Sequence, residues 1–321
     1  MRQQKLAAGL AYCLAVRDEP TRHAKLLGGL RRGLSAGLAL GVAGLASTGV
    51  GAQTQASGRV SSAAPVAAAA PATGQAEPAP PCDKPVYLTF DTGHMGVAQL
   101  VADLLHKYRI RATFFAANEK TLDGEGSLSP AWRPYWAALA KDGHEFASHT
   151  LDHTYWRGDL PGDQPVRFVV QPSQGPFANR TLTWTEAQYC QGIAQAADRL
   201  EAYTGKKPLA LYRAPGGKTS PRLLAAAERC GYQHVGWSPA GFLGDELPSD
   251  KYPNDKLLAK ALKDIQPGDI LLAHLGIWSR KDPWAPAVLE PLVSGLKARG
   301  FCFRTLREHP KYADWIARHG G

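Results

Sequence analysis

From Cys82 to Thr305 short apolar runs alternate with longer amphipathic stretches, and few folds accept that order. Strands are expected at Val86–Phe90, Arg111–Ala116, Glu145–Ser148, Ala210–Arg213, His234–Trp237, Asp269–Ala273 and Phe301–Thr305. Helices are expected between them, at Val97–Tyr108, Trp132–Lys141, Thr185–Thr204, Pro221–Cys230, Asp255–Asp264 and Ala285–Arg299. Gly231 and Gly300 follow two of these stretches, where a chain leaving a helix favours glycine. Repeated strand-then-helix units imply a parallel sheet, and about seven of them suit closure into an α/β barrel. Gly158–Thr183, rich in Pro, Gly and Gln, breaks the alternation and reads as a long loop bordering the mouth.

The first eighty residues lack the material of a core, so one domain over residues 82–321 is expected. Residues 1–52 read as a leader: a basic stretch ends in Arg31 and Arg32, an apolar small-residue segment runs from Gly33 to Val50, and Val50-Gly51-Ala52 fits a cleavage site. Left uncleaved, the segment would be an anchor, but it is short of the roughly 20 strongly apolar residues of a spanning helix. The stretch before it is long for such a signal, which raises the expectation that the true start lies downstream of Met1. Residues 53–81, mostly Ala, Pro, Ser, Gln and Gly, read as a disordered linker. The chain is therefore expected in the periplasm or outside the cell, or membrane-anchored if the signal stays.

The formal charge of +9 suggests nucleic acid until it is divided along the chain. Residues 1–52 hold seven Lys or Arg against two acids, leaving 30 against 26 beyond them. No basic run interleaved with aromatics survives in the main domain, so nucleic-acid binding is not expected. Past the leader stand Cys82, Cys190, Cys230 and Cys302, enough for one or two disulfides of unreadable pairing or for buried thiols, and no Cys-x-x-Cys spacing marks a thiolate zinc site.

Titratable residues end four expected strands: Asp91 after Phe90, His149 after Ser148, Arg213 after Tyr212 and His274 after Ala273. Strand ends of a barrel converge, so these residues form a site hypothesis together. His149 and His153, four apart, would share one face of a helical turn within reach of one divalent ion. A structural His pair, and an Asp91 that merely caps the helix starting near Gly96, are the plainer readings of each motif alone. His144, opening a strand, reads as structural.

Taken together these stretches resemble the polysaccharide deacetylase (NodB-type) family, carbohydrate esterase family 4. Thr89-Phe90-Asp91-Thr92-Gly93 resembles its Thr-Phe-Asp-Asp-Gly motif, and His149-Thr150-Leu151-Asp152-His153 its His-Ser/Thr-x-x-His. Arg213-Ala214-Pro215-Gly216-Gly217 resembles Arg-x-Pro-x-Gly, and Leu272-Ala273-His274 resembles Leu-x-His, all in the family's order. The resemblance implies a distorted (β/α) barrel and metal-dependent hydrolysis of N-acetyl groups from an amino-sugar polysaccharide, with a monomeric state expected. It implies Asp91 as general base, Arg213 as its orienting partner, His274 as general acid, and His149 and His153 as ligands of a divalent metal, zinc first, with cobalt or nickel as alternatives. Pro215, Gly216, Trp237 and Trp278 are the expected substrate contacts.

Two departures from the family pattern stand out. Thr92 stands where the family has the aspartate that is the third metal ligand, so its hydroxyl, nearby His94, or another group or water would fill that position. The family's aspartate-rich segment ending in Trp has only a loose counterpart from Trp237 to Asp245, where Asp245 is the candidate carboxylate beside the catalytic His and Phe242 a possible sugar-stacking partner of Trp237. A glycan-binding module that has lost its metal is the competing reading. A glycoside hydrolase needs a second carboxylate across the sugar, and Asp91 has no evident partner of that kind.

Overall fold

Strand β1 (Pro85–Asp91) takes a central place in a parallel sheet because both of its faces are buried, each in a different environment. In the computed structural model, which describes residues 81–162 and 164–321, Val86, Leu88 and Phe90 pack against helices, whereas Tyr87 lies in a second cluster inside the sheet's curve. The two-residue period of a strand puts Thr89 and Asp91 on that inner side as well. The expected leader lies outside the described residues, as does all of the expected linker except Pro81.

The main sheet contains seven strands: β1, β2 (Thr113–Ala116), β3 (Glu145–Ser148), β7 (Leu211–Tyr212), β8 (Gln233–His234), β9 (Ile270–His274) and β10 (Cys302–Phe303). All their pairings are parallel, in the order β8, β7, β3, β2, β1, β9, with β10 beside the start of β1. No strand joins β8 to β9 among the described residues; the irregular segment 238–243 does so. Ser238 N donates to Ile270 O (3.0 Å) and Leu272 N to Gly241 O (2.8 Å). Only glycine fits there, since a Cβ on Gly241 would sit 1.9 Å from Ile270 O. The result is a distorted (β/α) barrel.

Six helices match the expected places within a few residues: α1 (Ala98–Tyr108), α2 (Arg133–Lys141), α3 (Glu186–Thr204), α4 (Pro221–Arg229), α5 (Asn254–Asp264) and α6 (Leu289–Ala298). A capping box at Thr185 and Gln188 starts α3, and Ser220 caps α4. A seventh helix, α7 (Ala313–His319), was not expected; with Tyr312 its Ile316 closes the barrel floor against Tyr87, Leu211 and Val235.

The segment expected as a loop instead carries β5 (Arg167–Pro172), the middle strand of a three-stranded antiparallel sheet whose flanking strands, β4 (Thr154–Asp159) and β6 (Leu182–Thr185), overlap its two ends. Its buried positions, Phe168 and Val170, alternate with more exposed ones and pack on Tyr189, Ile193 and Leu223. The short run and its Pro-, Gly- and Gln-rich surroundings hide that period in the sequence. The four cysteines among the described residues form two disulfides, Cys82–Cys302 and Cys190–Cys230, closing 220- and 40-residue separations.

Candidate active site

The parallel register of β1 and β9 sets Asp91 beside His274 at one end of the barrel. Asp91 is 3% exposed and accepts a hydrogen bond from Arg213 Nη1 at 2.6 Å, with His149 Nε2 at 3.5 Å from its other oxygen. Arg213, wholly buried, also donates to Thr89 Oγ1 (2.9 Å) and Val235 O (3.2 Å), and its guanidinium lies 4.1 Å over the Phe115 ring. Burial pushes the Asp91 carboxyl up, but the Arg213 charge, then His149 and His274, outweigh it and hold it below its ordinary value. Asp91 is therefore an ionised carboxylate at neutral pH. It does not cap α1, whose first turn has no side-chain cap.

The histidine pair sits on a turn rather than on a helix, because Thr150 (φ 61°) and His153 (φ 45°) are left-handed. The turn nonetheless brings the rings together, with centroids 4.8 Å apart. His149 Nδ1 faces the carbonyl of Arg213 at 2.9 Å, an obligate acceptor, so Nδ1 carries a proton and Nε2 is the nitrogen turned toward the site. His153 Nδ1 meets Ser173 Oγ at 2.8 Å, and that hydroxyl donates to His153 O (3.3 Å), which again leaves Nε2 free. Burial presses His153 down to about 4, and a neutral imidazole is what an ion requires. The donor chemistry fits a divalent metal held by these two Nε2 atoms. Among the described residues, however, no three His, Cys, Asp or Glu side chains are gathered closely enough to hold one as they stand.

His274 opposes them from β9. Asp245 accepts both its backbone N–H (2.6 Å) and its Nδ1–H (3.1 Å), which turns Nε2 toward Glu246 at 4.0 Å. Burial alone would lower His274, but the charge and hydrogen bond of Asp245, helped by Asp91 and Glu246, raise it to about 10. Burial and the neighbouring Asp245 push Glu246 upward in turn, against the opposing pull of His274. A cavity of about 200 Å³ opens beside His274, lined among others by His94, Ile277 and Trp284.

The remaining expected site residues divide. Thr92 is buried, accepts Ala117 N–H (3.0 Å) and donates to Glu119 Oε2 (2.6 Å). His94 turns toward the cavity: its Nδ1 accepts Gly96 N–H, and its ring meets Trp278 edge-on at 5.2 Å. Trp278 is 62% exposed, as a sugar platform needs, whereas Trp237 is half-buried beside Arg213 and Phe242. Pro215 is buried; Gly216 (φ 64°) lies so close to Tyr155 that a Cβ would come within 2.9 Å of its ring. Gly93 explains itself by closeness, since a Cβ there would strike Gly276 O at 2.1 Å and part the β1 and β9 loops. His144 is buried, accepts Ala112 N–H and is structural. Ser173 and Glu119 went unnoticed in the sequence; Glu119, three residues past the end of β2, is one more strand-end carboxylate.

The family model for polysaccharide deacetylase matches residues 79–235. A chitooligosaccharide deacetylase of Azorhizobium caulinodans is 26% identical over 69% of this chain and 92% of its own, and a peptidoglycan-N-acetylglucosamine deacetylase of Bacillus cereus is 26% identical over 72% and 90%. Among solved structures, a family 4 acetyl xylan esterase from Clostridium thermocellum in complex with a cobalt ion superposes with a TM-score of 0.52 at 22% identity, over 73% of this chain and 91% of that one. A CE4 family pseudoenzyme from Bacillus anthracis superposes at 0.50 with 16% identity, over 70% and 65%. These last two show the shared fold. With three of the four motifs inside the matched residues and the fourth, at His274, on the neighbouring strand, the chain belongs to the polysaccharide deacetylase family.

Proposed function

We propose that this chain hydrolyses N-acetyl groups of an amino-sugar polysaccharide of the cell envelope or matrix, with a divalent metal, zinc in the first place, held by His149 and His153. The observation that carries the reading is geometric: the register of β1 and β9 sets Asp91, held by Arg213 at 2.6 Å, beside His274, held by Asp245 at 3.1 Å, and those partners favour an ionised carboxyl and a protonated imidazole. A divalent ion bound there would polarise the acetyl carbonyl and make water more acidic. Asp91, fixed by Arg213, takes a proton from the attacking water, whose oxygen adds to the acetyl carbon. His274 Nε2–H, kept protonated by Asp245, gives its proton to the sugar nitrogen as the C–N bond breaks. Acetate and a free amino sugar leave, and Trp278 offers a ring on which a neighbouring sugar stacks. Two disulfides support work in an oxidising compartment, in line with the export signal expected over residues 1–52.

Acetate release from N-acetylglucosamine oligomers, with and without added zinc or cobalt, tests the proposal. Release that depends on metal and disappears in His149→Ala and His153→Ala is expected. Oligomer binding without release would favour the glycan-binding module, a reading that the neutral Thr92 keeps in play.

A further inference from the structure

An ion held by two neutral imidazoles would bring two positive charges to a buried site where the Asp91 carboxylate is already paired with Arg213 at 2.6 Å. An anionic ligand is what such a set lacks, and Thr92 offers only a neutral oxygen. We propose that Glu119, on the loop after β2, is that anionic ligand, and that Thr92 is a positioning residue for its carboxylate. This rests on the reading that His149 and His153 hold an ion.

The Thr92 hydroxyl is engaged on both sides. It accepts Ala117 N–H at 3.0 Å and gives its proton to Glu119 Oε2 at 2.6 Å, so it fixes one carboxylate oxygen and leaves the other available. The backbone around Glu119 is pinned as well. Glu119 N donates to Ser127 Oγ (3.0 Å), Ser127 N donates to Glu119 O (2.8 Å), and Asn118 N donates to Leu151 O (2.7 Å). Leu151 lies between the two histidines, so the last bond ties the carboxylate's loop to the imidazoles' turn. Around His153, Glu119 exerts a stronger favourable field than Asp91 does. Closing the set on an ion then falls to the side-chain torsions of Glu119, which has three. The charge that the family carries at position 92 is thus moved one strand over, to position 119.

The test is cobalt(II) titration of the purified full chain, followed by calorimetry and by the visible absorption of the bound ion. Glu119→Gln, which keeps the acceptor for Thr92 and removes the charge, should weaken binding by at least about tenfold to a hundredfold. Thr92→Val, which keeps the charge and loosens it, should cost less. The exchange variant Thr92→Asp with Glu119→Gln should recover most of the lost affinity, an outcome that a purely structural Glu119 would not produce. Thermal melting of each apo variant reports folding separately. Glu119→Gln binding cobalt as tightly as wild type, while His153→Ala binds none, overturns the inference and leaves the histidine site standing. Binding unaffected by His153→Ala, or no binding by wild type, overturns the metal site and this inference with it.

Discussion

Replacing Asp245 by Asn should move the alkaline limb of the rate profile and leave the acid side nearly unchanged. Asn keeps an oxygen for the His274 backbone N–H, now accepted at 2.6 Å, and removes only the charge that faces Nδ1 at 3.1 Å. That charge is the largest influence holding His274 up at about 10 against burial. Without it His274 falls toward the ordinary imidazole value of about 6.5, where only about 3% of it is protonated at pH 8. Asp91 and Glu246 still support it, so the loss at pH 8 lies between about twofold and about thirtyfold, while at pH 6 it stays below about twofold. The same pair stabilises the native chain fully below the unfolded value of about 6.5, and that contribution disappears as pH rises through about 10. Acetate release measured from pH 5 to 10, beside titration of the His274 ring by NMR, reads both effects. An alkaline limb that stays within about half a unit of wild type would refute the assignment of His274 as the acid held by Asp245.

Further perturbations have equally definite outcomes. Arg213→Met leaves Asp91 buried without its countercharge and should cost about 3–5 kcal/mol in chemical denaturation, with the carboxyl titrating higher; an unchanged midpoint would mean that Asp91 has another partner. Removing the Cys82–Cys302 disulfide by paired serines opens a 220-residue loop and should cost about 5 kcal/mol, against about 4 for the 40-residue Cys190–Cys230 loop, so the first pair should melt lower. Trp278→Ala, at a site 62% exposed, should raise KM for oligomers several-fold without moving the melting temperature; a lower kcat with unchanged KM would remove the platform role. Chelation followed by dialysis should abolish acetate release, and added cobalt should restore it.

The strand-end residues that meet at the candidate site were legible because each depends on a local pattern. Asp91, Arg213 and His274 each end a short apolar run, and the parallel sheet brings those ends together. The positions that stayed hidden depend on tertiary contacts. Glu119 is placed by backbone bonds to Ser127 and to Leu151, and neither partner is adjacent in sequence. Ser173 reaches His153 only because β4 and β5 fold back antiparallel, in a segment whose Pro and Gly read as loop. Helix α7 has seven residues, too few for a helical period to emerge. The cysteine pairing required the barrel to close first, since Cys82 and Cys302 lie at opposite ends of the domain and meet where β10 joins the start of β1.

Asp91 and His274 are best understood as one unit. Each lies on its strand at the same level, and each holds a charge that burial opposes. The His274 charge lowers the Asp91 carboxyl and the Asp91 carboxylate raises the His274 imidazole, so each favours the charged form of the other across the mouth. Arg213 and Asp245 reinforce the two ends from opposite sides, one cation behind the base and one anion behind the acid. Asp91→Asn should lower the His274 ring in an NMR titration, and His274→Gln should raise the Asp91 carboxyl. If neither neutralisation moved its neighbour, the two groups would titrate independently, and the electrostatic basis for assigning base and acid would fail.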